Sequence, residues 1–157
     1  MIKFNFAQIL VYMDLISVNQ NEIIEEFEMF SDWIDKYDYI IELGKELTLF
    51  NDTYKNDDHL IKGCQSKVWL HAQMEGDKVR FSADSDAIIT KGIIALLIRV
   101  WDNQLPADIL KSELSFIDSI DLKEHLSMTR SNGLLSMIKQ MKLYALAFES
   151  QQNMANL

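Results

Sequence analysis

The residue best suited to covalent chemistry is the single cysteine of this 157-residue chain, Cys64. It lies in residues 62–67, Lys-Gly-Cys-Gln-Ser-Lys, between a polar stretch and an alternating apolar run. Free cysteines are most often small buried hydrophobic residues. Here Gly63 permits a turn or the close approach of a partner, and Lys62 and Lys67 could stabilise the nucleophilic thiolate. The segment therefore predicts a reactive thiol on a loop.

The three histidines are the other candidates for acid–base chemistry. His59 precedes the cysteine by five residues and could act as the base of a cysteine hydrolase. His71 falls in a predicted strand and His125 in a predicted late helix, and nothing around any of the three indicates a base or a ligand. The cluster Asp57-Asp58-His59 is too short to predict a metal site, and no spaced Cys and His pairs occur.

Composition and charge restrict the class of protein. The length fits one domain with a sizeable core, and 48% hydrophobic and 25% charged residues are typical of a globular protein. The formal net charge of −9 repels phosphate backbones, so we expect no nucleic-acid partner. One cysteine excludes an intramolecular disulfide and suits a reducing cytoplasm.

The N-terminal segment is apolar but does not predict a membrane anchor. Residues 4–18 are interrupted by Asn5, Gln8 and Asp14, and they are too few to span a bilayer. A second methionine, Met13, precedes a well-patterned helix, which suggests that it is the true start. We therefore expect a non-essential extension at 1–20, one domain at 21–149 and a polar tail at 150–157.

Helical periodicity dominates the first third of the chain. Apolar residues recur at three and four positions from Asn21, which predicts one buried helix face made of Ile23, Ile24, Phe27, Phe30, Ile34, Tyr37 and Ile41. A bend is expected near Tyr37 and Asp38, and Gly44 supplies a stop or a hinge.

The middle of the chain predicts an antiparallel hairpin. Residues 68–74 and 79–83 alternate apolar and polar side chains on either side of the turn signal Glu75-Gly76-Asp77-Lys78. A short strand just before Gly63 would add a third member.

Helices are predicted for the remainder. Asp84-Ser85-Asp86 offers caps for an apolar helix at 87–101, Pro106 suits the first turn of the next helix, and 114–126 reads as one or two short helices. Ser131 or Asn132 is the predicted cap of the last helix, whose inward residues are Leu134, Leu135, Ile138, Met141 and Ala145. The pattern as a whole predicts a small α+β domain.

Several segments resemble one known family. The sequence Gly63-Cys64-Gln65-Ser66-Lys67-Val68-Trp69-Leu70 resembles the signature around the sulfur-accepting cysteine of SufE-type proteins. Trp33, Tyr37 and residues 41–47 resemble the family's N-terminal helix. Residues 83–89 with 91–96 resemble the helix after the hairpin, and 125–127 with 129–134 resemble the late loop and last helix. The blocks are in order and span residues 22–147.

The resemblance implies a fold and a function. The fold would be SufE/IscU-like α+β, with an N-terminal helix, a small three-stranded antiparallel sheet and helices packed on one face. Cys64 would take persulfide sulfur from a SufS-type or a related CsdA-type cysteine desulfurase, stimulate that enzyme and deliver the sulfur to a SufBCD-type scaffold for iron–sulfur clusters. The chain would be a cytoplasmic co-substrate without a cofactor or metal of its own, and pyridoxal phosphate would belong to the desulfurase.

The resemblance also assigns supporting positions and leaves alternatives open. Gly63, Gln65 and Ser66 flank the acceptor, and Asp86 and Arg130 fall where the family carries residues near the cysteine loop or its docking surface. An IscU-type scaffold would need more cysteines than one. A cysteine hydrolase and a protein-interaction module with an incidental cysteine are the alternatives from other classes.

Overall fold

The computed structural model describes Lys3, residues 5–7 and residues 14–157, and places six α-helices and two strands in 14–157. The proposed start at Met13 lies outside these residues. The helices are α1 (Leu15–Glu28), α2 (Trp33–Lys45), α3 (Ile88–Trp101), α4 (Pro106–Lys111), α5 (Ser115–Ser119) and α6 (Met128–Ala155). The strands are β1 (Val68–Glu75) and β2 (Lys78–Ser85), and short 3₁₀ turns occupy Asp52–Tyr54, Asp57–His59 and Lys123–His125.

The N-terminal helical region is two helices rather than one. Asp32 caps α2, because its side chain accepts a hydrogen bond from the backbone N–H of Asp35 at 2.9 Å. The break at 29–32 lies before the bend predicted near Tyr37 and shifts the phase of the apolar pattern. Ile34, predicted to be buried, is 74% exposed as a result, whereas Ile23 and Phe27 are buried as predicted.

The hairpin is confirmed, but the sheet has two strands in the described part of the chain. β1 and β2 pair antiparallel from Val68 with Ser85 to Glu75 with Lys78. The predicted third strand before Gly63 is wrong, because only Leu60 forms a bridge to Trp69 there. Alternation is as expected: the residues that face the core are Val68, Leu70, Ala72, Val79, Phe81 and Ala83.

The apolar helix α3 lies at the centre of the fold. It contacts α1, α2, α6 and β2, which explains why almost all its residues are buried. Glycines allow it to pack closely on α2: a Cβ added to Gly44 would lie 2.7 Å from the backbone N of Gly92. Arg99 at the other end of α3 pairs with Glu26 of α1, which also accepts a hydrogen bond from Tyr39 of α2. The hydrogen bonds from Arg99 lower the pKa of Glu26.

The last helix begins earlier and ends later than the local sequence indicates. Its cap is Ser127, which accepts from the N–H of Arg130 at 3.3 Å, so the predicted caps at Ser131 and Asn132 are wrong. Leu134 and Met141 are buried as predicted, but Leu135 is 50% exposed. The helix continues to Ala155, through most of the polar segment 150–157. In the described part of the chain, no helix has both the length and the apolar character to cross a membrane.

Candidate functional site

Cys64 lies on a tight loop that a left-handed glycine shapes. Gly63 has φ of +92°, a conformation that side-chain-bearing residues rarely adopt. A Cβ added there would lie 2.5 Å from Oγ of Ser136 on α6. Gly63 therefore allows the turn that the sequence predicted, and it also allows the loop to pack closely against α6.

Both ends of the loop are fixed to the hairpin. The N–H of Ile61 donates to the carbonyl of Val68 at 2.8 Å. On the other side the N–H of Lys67 donates to Oδ1 of Asp86 at 3.0 Å, and Asp86 returns a backbone bond to the carbonyl of Lys67 at 3.2 Å. The hydroxyl of Ser85 donates to the same carbonyl at 2.8 Å. Only residues 62–66 are left between these anchors.

This geometry corrects the role predicted for Asp84-Ser85-Asp86. The N-cap of α3 is Ala87, and no side chain bonds to the helix at that position. Asp84 instead accepts ion pairs from Lys55 at 2.8 Å and Lys91 at 3.2 Å. The triplet therefore ends β2 and holds neighbouring segments, including the Cys64 loop.

A small cavity of about 90 Å³ adjoins the thiol. It lies between the loop and the first turns of α3 and α6, and Sγ of Cys64 donates to the carbonyl of Gly133 at 3.7 Å. A Cβ on Gly133 would stand 3.5 Å from that sulfur, so this glycine packs directly against it. The cavity is lined by Cys64, Gln65, Ser66, Thr90, Ile93, Thr129, Arg130, Gly133 and Met137.

The thiol is half-buried, and burial raises the pKa of Cys64. Lys62 and Lys67, which were expected to stabilise the thiolate, are exposed and do not offset this effect of burial. In this position Cys64 is therefore a protonated thiol at neutral pH. The arrangement shelters the sulfur rather than activating it.

The structure brings most of the predicted site residues together. Gln65, Ser66 and Arg130 line the same cavity as Cys64, and Gly63 shapes its loop. Asp86 does not line the cavity, and it acts on the loop through Lys67.

Sequence reasoning missed five cavity residues that come from two helices. Thr90 and Ile93 lie on α3, and Thr129, Gly133 and Met137 lie on α6. In the sequence they look like ordinary residues of these helices or of the loop before the last one. No local signal marks them, because their role depends on how the two helices meet at the loop. Two of the five have polar side chains, the buried Thr90 and the exposed Thr129.

The hydrolase alternative lacks a base in this arrangement. The residues that line the cavity include no histidine. Nδ1 of His59 lies 2.8 Å from Oδ1 of Asn56, and its Nε2 lies 3.3 Å from Nδ1 of His71. Both ring nitrogens of His59 are thus engaged with groups other than the thiol. Within the described residues, no three Cys, His, Asp or Glu side chains are grouped as a metal site.

The fold and site together define a small α+β domain that carries one cysteine on a short loop at the junction of two helices. Residues 21–145 match the family model described as "SufE: Fe-S metabolism associated domain". An uncharacterized SufE-like protein of Rhizobium meliloti is 35% identical over 127 residues, which cover 78% of this chain and 91% of the relative. A second, from Rhizobium etli, is 34% identical over 133 residues, with 82% and 90% covered. The chain belongs to the SufE family.

A solved structure supports the fold alone. The solution structure of a hypothetical protein from Thermus thermophilus matches with a TM-score of 0.70, covering 84% of this chain and 96% of that one, at 18% identity. SufE-family proteins generally work with cysteine desulfurases, and membership suggests a sulfur-transfer role in iron–sulfur metabolism.

Proposed function

We propose that Cys64 is the sulfur acceptor of this protein and receives sulfur from the persulfide of a SufS-type cysteine desulfurase. The Cys64 thiol loses its proton, and the thiolate attacks the outer sulfur of the desulfurase persulfide. A new S–S bond forms on Cys64, the S–S bond on the desulfurase breaks, and the desulfurase cysteine leaves as a thiolate. No net oxidation occurs, because one S–S bond is exchanged for another.

The observation that carries this proposal is the position of the Cys64 sulfur. It lies at the tip of a five-residue loop, packed on Gly133 and open to a cavity of about 90 Å³. A purely structural cysteine would be enclosed in the core, whereas this one is half-buried at a helix junction. The cavity offers space beside the thiol in which a second sulfur could be held away from oxidants.

Reaction requires that the thiol leave this shelter. Because burial raises the pKa of Cys64, the tucked thiol is a poor nucleophile at neutral pH. Rotation of residues 62–66 about their fixed ends would expose the sulfur and return its pKa toward the ordinary value. The Ile61–Val68 and Lys67–Asp86 hydrogen bonds are the fixed ends, so the rest of the fold need not move.

The supporting residues act on the loop or on the partner. Asp86 is exposed and holds the backbone of Lys67, which sets where the loop leaves the hairpin. Arg130 is exposed at the cavity, where its cation could attract the incoming persulfide or pair with a carboxylate of the docking partner. Gln65 and Ser66 lie beside the acceptor and offer polar groups to either state.

The proposed place of the protein is between two partners in the cytoplasm. A SufS-type desulfurase, which holds pyridoxal phosphate, supplies the sulfur and turns over faster once its persulfide is removed. A SufBCD-type scaffold for iron–sulfur clusters takes the sulfur from Cys64. This chain needs no cofactor in the scheme, and neither nucleic acid nor a membrane takes part.

Intact-protein mass measurement tests the proposal. The protein is mixed with a SufS-type desulfurase and cysteine, beside Cys64→Ser and Arg130→Ala variants. We expect added sulfur on the parent that dithiothreitol removes, none on Cys64→Ser, and slower loading of Arg130→Ala. Circular dichroism checks that each variant is folded.

One outcome would favour the interaction module with an incidental cysteine. In that case Cys64→Ser would stimulate the desulfurase as well as the parent does, and no sulfur would load. A folded parent with a free thiol that neither loads sulfur nor stimulates the desulfurase would contradict both functions.

A further inference from the structure

One buried polar side chain beside the sulfur site has no hydrogen-bond partner. Among the described residues, three polar side chains are buried: Gln20, Thr90 and Gln104. Gln20 donates to the carbonyl of Glu113 at 3.0 Å, and Gln104 donates to that of Asp102 at 3.5 Å. The hydroxyl of Thr90, a residue that is only 7% exposed, bonds to none of the described residues. A buried hydroxyl without a partner is unfavourable, so this one calls for an explanation.

The hydroxyl of Thr90 opens onto the cavity beside the thiol. Thr90 lies in the first turn of α3. A helical hydroxyl often bonds back to the carbonyl four residues earlier, as that of Ser136 does to Asn132 at 3.1 Å, but the hydroxyl of Thr90 does not. Every side-chain oxygen that is sealed inside the described part of the chain has a hydrogen-bond partner. The Thr90 oxygen has none, so it is not sealed, and it faces the cavity that Thr90 lines together with Cys64.

The surroundings of this cavity favour an anion. The first turns of α3 and α6 both contribute to its lining, so the positive ends of two helix dipoles adjoin it. No side chain caps α3, which leaves N–H groups of its first turn without a partner in the helix. Arg130 is a cation in the lining, and no carboxylate is among the described residues that line the cavity, although the chain has a net charge of −9. Helix N-termini and a cation together attract negative charge.

The proposed sulfur transfer produces an anion of suitable size next to Thr90. In the unloaded protein Sγ of Cys64 donates to the carbonyl of Gly133, and it forms no hydrogen bond with Thr90. The transferred sulfur is bonded about 2.05 Å beyond Sγ, so it extends from the thiol into the cavity. A water molecule needs only about 10–15 Å³ of cavity, so a volume of about 90 Å³ accommodates a sulfur atom. Persulfides are stronger acids than thiols, and the outer sulfur therefore readily becomes an anion.

We propose that Thr90 binds the outer sulfur of the Cys64 persulfide by donating its hydroxyl hydrogen to the sulfur anion. The Cys64–S–SH group loses its proton to water and keeps its S–S bond, so nothing is oxidised or reduced. The bond gives the buried hydroxyl the partner that it lacks in the unloaded protein. This role rests on the proposed acceptor function, and it adds the residue that retains the sulfur between delivery and release.

Titration of the persulfide in the isolated full chain tests the role of Thr90. The parent, Thr90→Val and Thr90→Ser are loaded with sodium polysulfide, from which the thiolate takes one sulfur while a shorter polysulfide leaves, and intact mass confirms the loading. The near-ultraviolet absorbance of the persulfide anion is followed against pH, with Cys64→Ser as the baseline. We expect the midpoint of Thr90→Val to lie about one pH unit above that of the parent, because the anion loses a hydrogen bond. Thr90→Ser keeps the hydroxyl and should titrate like the parent.

The matched control is Thr48→Val, which removes an exposed hydroxyl from a loop outside the cavity and should leave the midpoint unchanged. Equal midpoints for Thr90→Val and the parent, or a shift in Thr90→Ser as large as that in Thr90→Val, would overturn the role of Thr90. So would a free Cys64 thiol that retains no sulfur from polysulfide. Loading of Cys64 by a desulfurase would still support the acceptor function in the first two cases. A shifted midpoint in Thr90→Val without loading by any desulfurase would contradict the acceptor function alone.

Discussion

Glycine contacts in two regions of this fold show how differently its core and its site are built. Where α2 crosses α3, Gly44 and Gly92 bring backbone against backbone, and a Cβ on Gly92 would overlap the carbonyl of Ile40. At the Cys64 loop, a Cβ on Gly63 would meet the side chain of Ser136, with Oγ at 2.5 Å and Cβ at 3.4 Å. A Cβ on Gly133 would reach the sulfur at 3.5 Å, an ordinary contact.

The difference concerns what can move. Backbone atoms of packed helices cannot shift without disturbing the whole core, so the α2–α3 crossing tolerates no added atom. The loop faces side chains that can rotate and a small cavity into which atoms can shift. The core therefore provides a rigid base, and the site keeps the freedom that exposure of a sheltered thiol requires.

The largest effect should come from Gly92→Ala. We expect the free energy of unfolding of this variant, measured in urea, to fall by about 3 kcal/mol or more. Overpacking a core lowers stability by about 1–3 kcal/mol even where side chains can adjust. Gly76→Ala is the control: Gly76 has φ of +64° but no neighbouring atom within 4 Å of an added Cβ. Its loss should be about 1–2 kcal/mol, the cost of the left-handed backbone alone. Equal losses of stability in Gly92→Ala and Gly76→Ala would contradict the rigidity of the α2–α3 crossing.

Gly63→Ala should have the next largest effect. We expect a loss of about 1–2 kcal/mol for the backbone conformation, together with a further loss from the contact with Ser136. Ser136→Ala alone should change stability by less than about 0.5 kcal/mol. The double variant should recover the contact part only, which a double-mutant cycle in urea measures. If the stability losses of the two single variants simply added in the double variant, the new methyl group at Gly63 would not be in steric conflict with Ser136.

The pH dependence of thiol alkylation separates the tucked state from an exposed loop. Because burial raises the pKa of Cys64, the folded protein holds less thiolate than the unfolded chain at every pH below its midpoint. The rate with iodoacetamide should rise with pH through a midpoint higher than that of the urea-unfolded protein. Midpoints are compared rather than rates, since burial also restricts access. If the alkylation midpoint of the folded protein lay at or below that of the unfolded protein, Cys64 would be exposed to solvent in most of the folded molecules.

Gly133→Ala should have the smallest effect, and of opposite sign. Gly133 lies inside α6, where alanine is favoured over glycine by about 1 kcal/mol, and the new methyl group only touches the sulfur. Stability in urea should stay unchanged or rise by up to about 1 kcal/mol, while alkylation of Cys64 becomes slower. A clear loss of stability would show that the contact between Gly133 and Cys64 is as rigid as the crossing of α2 and α3.

Much of the secondary structure follows from the sequence because its signals are local. The alternation on either side of Gly76 specifies the hairpin, and the apolar run near Leu96 specifies a buried helix. Each pattern shows directly which side chains must be buried. Cys64 could also be placed on a loop, from the glycine before it and the polar residues around it. Its assignment as a sulfur acceptor depended on resemblance and stays a prediction.

Tertiary structure decided what depends on neighbours. The break before Asp32 and the early start at Ser127 were missed because several polar residues could cap each helix, and packing selects among them. The cavity beside Cys64 exists only where α3 and α6 meet the loop. The direction of the Cys64 pKa shift could not be read from Lys62 and Lys67, because desolvation depends on burial and burial is a property of the whole fold.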